Sequence, residues 1–186
     1  MIPSQTLQNH WIALAGNPNT GKTAIFNLLT GLNQKVSNYP GITVERKLGT
    51  MHLKNKQEIQ VLDLPGSYSL TPESFDEHIV SDEIFSWLHG VEKPSLILSV
   101  VDVENLSRNL YLTSQLLDLG IPIIVVLNMM DRIQEESLIL SPQQLKERLC
   151  AADVVPVSAI EKMGMDRLKD SILTNLKPPP NLDEED

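Results

Sequence analysis

Gly16-Asn17-Pro18-Asn19-Thr20-Gly21-Lys22-Thr23 is the stretch that most limits what this chain can fold into. It fits G-x-x-x-x-G-K-[ST], and its flanks are those that a phosphate-binding loop requires. Upstream, Trp11-Ile12-Ala13-Leu14-Ala15 is an apolar run that reads as a buried strand. Downstream, Ala24-Ile25-Phe26-Asn27-Leu28-Leu29 reads as the opening of a helix that stops near Gly31. Glycines at 16 and 21 let the backbone turn sharply and aim its N–H groups at a polyphosphate, and the helix start adds its dipole. In that arrangement Lys22 reaches the β- and γ-phosphates, and the Thr23 hydroxyl is offered to Mg²⁺. The spacing therefore predicts a nucleotide phosphate site over residues 16–24, from Gly16 to Ala24.

The rest of the chain alternates apolar runs with helical patterns. Arg46 to Leu53 and Ile59 to Asp63 read as strands, as do Leu96 to Val101, Ile121 to Leu127 and Val154 to Val157. Helical patterns cover Phe75 to Leu88, Asn105 to Leu119 with Leu106, Leu110, Leu116 and Leu117 on a stripe, and Met165 to Leu176. Ser141-Pro142-Gln143-Gln144 opens another helix with a Ser cap and Pro at its first position. Leu32 to Glu45, with Asn33, Ser37, Asn38, Pro40 and Gly41, is expected to be a long functional loop. The predicted fold is α/β: a three-layer P-loop NTPase sandwich, its mostly parallel central sheet flanked by helices. The expected organisation is a polar leader over 1–9, one domain over 10–176, and a linker over 177–186 that begins Lys177-Pro178-Pro179-Pro180.

Three further motifs follow strands. Asp63-x-x-Gly66 supplies a carboxylate for Mg²⁺ through a water and a Gly66 N–H within reach of a γ-phosphate. Thr43, in the long loop, can close over Mg²⁺ when the γ-phosphate is present; its plain alternative is a β-branched residue entering a strand. Asn128-x-x-Asp131 supplies a carboxylate that accepts from the N1–H and 2-amino group of guanine. Adenine offers no such pair, and a buried carboxylate left unpaired discriminates by up to about four orders of magnitude. Ser158-Ala159 after the last strand would add a backbone N–H to the guanine oxygen.

Composition removes other classes. Fifteen Lys+Arg against 24 Asp+Glu give a net charge of −9, which argues against a nucleic-acid groove. The single cysteine, Cys150, excludes an internal disulfide and, between Leu149 and Ala151, is expected to be a buried small hydrophobe. No signal peptide or bilayer-spanning run is visible, so the chain reads as soluble and cytoplasmic. His10, His52, His78 and His89 lack ligand spacing. Trp11 and Trp87 read as packing residues, and Glu73, Asp76, Glu77, Asp82 and Glu83 as a solvated helix face.

Together these residues resemble a translation-factor-type small G protein, and more closely the ferrous iron transport protein B family. The closer resemblance rests on residues 16–23, Asn38-Tyr-Pro-Gly-Ile-Thr-Val-Glu-Arg-Lys47, Asp63-Leu-Pro-Gly-Ser-Tyr-Ser-Leu70, Asn105-Leu-Ser-Arg-Asn-Leu-Tyr-Leu112 and Asn128-Met-Met-Asp131. It implies a GTP-hydrolysing G domain, cut from a longer protein, on the cytoplasmic side of the bacterial inner membrane. Its implied partners are GTP or GDP, a helical domain that inhibits nucleotide release, and a membrane region that moves Fe²⁺. Neither nucleic acid nor direct iron binding is expected in this part. Met129 stands where many G proteins carry a Lys, and Ser67-Tyr68 replaces the water-orienting Gln of Ras-like proteins. Asn19 stands where related G proteins place a K⁺ ligand, so the implied cofactors are Mg²⁺ and K⁺. A stand-alone potassium-activated G protein of ribosome or tRNA maturation is the alternative, and a binding module with little turnover is a third reading.

Overall fold

A computed structural model of the chain describes residues 11–54, 56–89, 93–134 and 141–176. The leader, His10 and the linker over 177–186 lie outside the described residues. Seven strands form one sheet: β1 (Trp11–Gly16), β2 (Gln34–Asn38), β3 (Glu45–His52), β4 (Glu58–Asp63), β5 (Leu96–Asp102), β6 (Ile123–Asn128) and β7 (Asp153–Pro156). Their order is β2-β3-β4-β1-β5-β6-β7. From β4 to β7 all neighbours are parallel, while β3 runs antiparallel to both β2 and β4. The expected mostly parallel α/β architecture is what the chain adopts.

Parallel strands covered on both faces read as continuous apolar runs, because every side chain meets a helix layer. In β1, Ile12 and Leu14 join one core while Ala13 and Ala15 join the other. The first core is closed by α1 (Lys22–Thr30) through Ile25, Phe26 and Leu29, and by α5 (Met165–Asn175) through Leu168 and Ile172. The second is closed by α2 (Phe75–His89), α3 (Leu106–Leu117) and α4 (Pro142–Leu149), through Val80, Ile84, Trp87, Leu112, Leu116 and Leu145. Each such aliphatic or aromatic side chain contributes roughly 1.5–3 kcal/mol on burial. Trp11 and Trp87 form an edge-to-face pair with centroids 5.5 Å apart, so both are packing residues as expected.

Three expectations are corrected. The 32–45 segment is not all loop: Gln34–Asn38 is an edge strand whose five residues are all exposed, so its sequence has no apolar alternation to betray it. It pairs from Gln34↔Gly49 to Asn38↔Glu45. The remaining loop is a tight turn, in which Tyr39 C=O accepts from Ile42 N–H at 3.1 Å. Gly41 there takes φ +77°, where a side chain would be strained. Second, Cys150 is exposed: it ends α4 in the left-handed conformation, φ +53°, which turns it away from the core. Third, Glu77 is buried and not part of a solvated face, for a reason given below. Helix α4 opens as its sequence implies, with a reciprocal Ser141–Gln144 capping box and Pro at the start.

Candidate functional site

Every motif singled out in the sequence falls at the carboxyl edge of the parallel strands, the edge where open α/β sheets carry their ligands. The 16–23 loop joins the end of β1 to α1. Gly16, the buried last residue of β1, lies so close to the Val100 carbonyl of β5 that a Cβ there would collide with it, and the Thr20 hydroxyl donates to the Asn17 carbonyl at 2.9 Å. Asn17 is buried with neither polar atom of its carboxamide paired among the described residues. Asn19 is exposed with φ +64°. Gly21, φ +81°, lies so close to the Asn128 carboxamide that a Cβ there would collide with it. Lys22 is buried and its ammonium pairs with the Asp63 carboxylate, also buried, at the end of β4. Thr23 and Ala24 are exposed on the first turn of α1.

Beyond Asp63, the segment 64–74 has neither strand nor helix. A Cβ on Gly66 would stand 3.1 Å from Pro18, so this segment passes directly over the phosphate loop. The Ser67 N–H donates to the Gly16 carbonyl at 3.1 Å. The Glu77 carboxylate, at the start of α2, accepts from the N–H groups of Tyr68 (3.0 Å), Glu73 (3.0 Å) and Ser74 (3.2 Å). Those donors explain its burial and hold its pKa below the usual carboxylate value, the Tyr68 N–H first among them. From α3, the Gln115 carbonyl oxygen accepts from Leu70 N–H at 2.8 Å and from the Ser69 hydroxyl at 3.2 Å. The Arg108 guanidinium lies 4.3 Å over the Tyr68 ring. Neither Glu77 nor Gln115 was legible as a site residue in the sequence; each takes its role from loop donors that only the fold brings near.

Thr43 is exposed in the turn between β2 and β3. In the same turn Tyr39 is buried, its hydroxyl without a partner among the described residues. Burial, and then the Glu83 carboxylate, push its pKa up to about 12. Arg46 of β3 faces the Tyr39 ring at 6.0 Å and reaches Glu83 of α2 at 3.4 Å.

At the other end, Asn128 closes β6 and joins two loops. Its amide donates to the Thr20 carbonyl at 2.8 Å, and its oxygen accepts from Ala159 N–H at 3.1 Å. Met129 takes φ +68°, and Asp131 follows, exposed, on a single turn, Met130–Arg132, whose Met130 is buried. The Ser158 hydroxyl, buried after β7, donates to Asp131 Oδ1. The phosphate loop, Asn128, Asp131, Ser158 and Ala159 thus form one connected network.

A family model described as ferrous iron transport protein B matches residues 10–172. The Fe(2+) transporter FeoB of Shigella flexneri is 44% identical over 162 residues, 85% of this chain and 20% of that protein. That of Salmonella typhimurium is 45% identical over the same shares. The chain thus spans about a fifth of the length of these curated relatives. Among solved structures, a GDP-bound mutant of S. thermophilus NFeoB matches with TM-score 0.77 and 42% identity, over 87% of this chain and 61% of that one. The G domain of T. maritima FeoB matches with TM-score 0.77 and 36% identity, over 90% and 99%. On the family match and the shared G-domain fold, this chain belongs to the ferrous iron transport protein B family.

Proposed function

We propose that this domain binds GTP and GDP, hydrolyses GTP to GDP and phosphate, and thereby regulates ferrous iron uptake through the membrane portion of a parent transporter. The observation that carries the reading is the base end of the site. A carboxylate at Asp131, oriented by Ser158, sits beside an Asn128 that ties the phosphate loop to the Ala159 loop. That geometry suits the two donors of guanine and would leave the carboxylate unpaired against adenine. Gly16 to Ala24 would surround the phosphates, with Lys22 transferring its ammonium from Asp63 to the β- and γ-phosphates.

The donor set fits Mg²⁺. Asp63 already accepts one cation, the Lys22 ammonium, at a buried carboxylate, and Thr23 offers an exposed hydroxyl on the adjoining turn. Thr23 and Asp63 would hold the ion, and Thr43 would join them on closure of its turn. When bound, Mg²⁺ would supply positive charge that offsets the negative charge of the phosphates. Gly66 would donate its N–H to the γ-phosphate, and Asn19 would hold K⁺ against the phosphates.

The iron connection is supported by the family and by relatives that are Fe(2+) transporters, of whose length the match covers 20%. No helix among the described residues is long and apolar enough to cross a membrane, so Fe²⁺ movement falls to other parts of the parent. On this reading the domain stands at the cytoplasmic face of the bacterial inner membrane, next to a helical domain and the membrane region. The test is phosphate release from GTP and from ATP by this chain, with and without Mg²⁺. Mg²⁺-dependent release from GTP alone is expected, and equal turnover of ATP would overturn the reading.

A further inference from the structure

We propose that Gln115 of α3 is a positioning residue for hydrolysis, fixing the Gly66 N–H through Ser69 and Ser67; this rests on the GTPase reading above. Segment 64–74 has no ladder of its own, so its shape is set by what it bonds to. The Gln115 oxygen takes Leu70 N–H at 2.8 Å and the Ser69 hydroxyl at 3.2 Å. The Ser69 hydroxyl oxygen in turn accepts from Thr71 N–H at 2.9 Å. Ser67 donates its hydroxyl to the Ser69 carbonyl at 2.6 Å, and its N–H, the next after that of Gly66, to the Gly16 carbonyl at 3.1 Å. One strap therefore runs from α3 to the residue that follows Gly66.

Its far end is rigid. Leu112 and Leu116 bury α3 in the core, and the Thr113 hydroxyl meets that of Ser99 on β5 at 2.8 Å. A neutral carboxamide oxygen accepting two donors costs no buried charge. Without it, Ser69 and Leu70 lose their common acceptor and the Gly66 N–H samples orientations that do not face the γ-phosphate. Misplacement of such a group costs rate while leaving the affinity for GDP, which has no γ-phosphate, untouched.

The experiment compares single-turnover GTP hydrolysis, GDP affinity and amide exchange at Leu70 in wild type, Gln115→Met, Gln115→Glu and Ser69→Ala, with Ser114→Ala as the control on the same helix. Gln115→Met and Ser69→Ala should hydrolyse on the order of tenfold more slowly. GDP affinity should be unchanged, Leu70 should exchange faster in Gln115→Met, and Gln115→Glu, which keeps the acceptor, should restore rate and protection. Wild-type rates in Gln115→Met or Ser69→Ala, or a Gln115→Glu as slow as Gln115→Met, would overturn the proposal. A wild-type chain that hydrolyses no GTP would overturn the GTPase reading itself; turnover indifferent to Gln115 overturns only this one.

Discussion

The Ser158 hydroxyl donates to the Asp131 carboxylate at 2.5 Å, tying the loop after β7 to the turn after β6. A carboxylate held from one side presents its remaining lone pairs in a fixed direction. In the GTP reading those lone pairs accept from the guanine N1–H and 2-amino group. Asp131→Asn should then lose GTP affinity and gain affinity for xanthosine triphosphate, because an amide can donate to the xanthine 2-oxygen. Fluorescent-nucleotide titration checks both; equal GTP binding by the variant and wild type would sink the base-site assignment. Ser158→Ala should weaken GTP by about 1.5 kcal/mol, roughly tenfold, without the change of base preference.

Met129 occupies the left-handed turn immediately after β6, half-buried, where it can lie against the base. Its thioether supplies apolar contact but neither charge nor donor. GDP should accordingly leave this domain within seconds, without an exchange factor, and Met129→Lys should slow its release. Stopped-flow displacement of a labelled GDP reads both rates, and wild-type release lasting many minutes would refute the argument.

Glu77 makes an acid-range prediction. Its folded pKa lies below the ordinary glutamate value, because Tyr68, Glu73 and Ser74 N–H groups bond its charged form. The stabilisation is therefore complete above the unfolded pKa and is lost as pH falls through the lowered folded value. Glu77→Gln should be less stable than wild type at neutral pH by about 1–3 kcal/mol, since an amide cannot accept from all three donors. That gap should shrink as the pH falls from about 7 to about 3. Urea midpoints across that range decide the matter; a constant gap would mean that the carboxylate charge has no part in it.

The parts of this molecule that were legible in the sequence share one property, that their chemistry is local. A phosphate loop needs its glycines, lysine and threonine within eight consecutive residues, and the strand and helix beside it announce themselves by apolar runs. The parts that were missed depend on distant partners. Gln34–Asn38 has one apolar residue, the exposed Val36, and becomes a strand only because Glu45–His52 lies alongside. Glu77 sits in an acidic run whose neighbours Asp76 and His78 are exposed, and only three loop N–H groups explain its burial. Cys150 has apolar neighbours, yet the left-handed cap of α4 points it outward. Gln115, a half-buried polar residue in a helical stripe, carries no periodic signal of its bonds to Ser69 and Leu70.

Catalysis offers the last prediction. Ser67 and Tyr68 follow Gly66, so no glutamine stands there to orient water, and the Ser67 hydroxyl is already committed to the Ser69 carbonyl. Unassisted Ras-like hydrolysis runs on the order of 10⁻⁴ per second, so turnover here should be slow unless a cation stabilises the charge of the transition state. Asn19 is exposed on the phosphate loop, its φ of +64° lifting it out of the buried run formed by Gly16 and Asn17. In the proposed site its carboxamide oxygen holds K⁺, with carbonyls of residues 37–41 completing the shell; Na⁺ is too small for the same ligands. KCl should therefore accelerate GTP hydrolysis over NaCl, and Asn19→Ala should abolish the difference while leaving GTP binding largely intact. If Asn19 only braced the loop, its loss would weaken binding equally in both salts. Equal wild-type rates in the two salts, or a full K⁺ response in the Asn19 variant, would remove the potassium site.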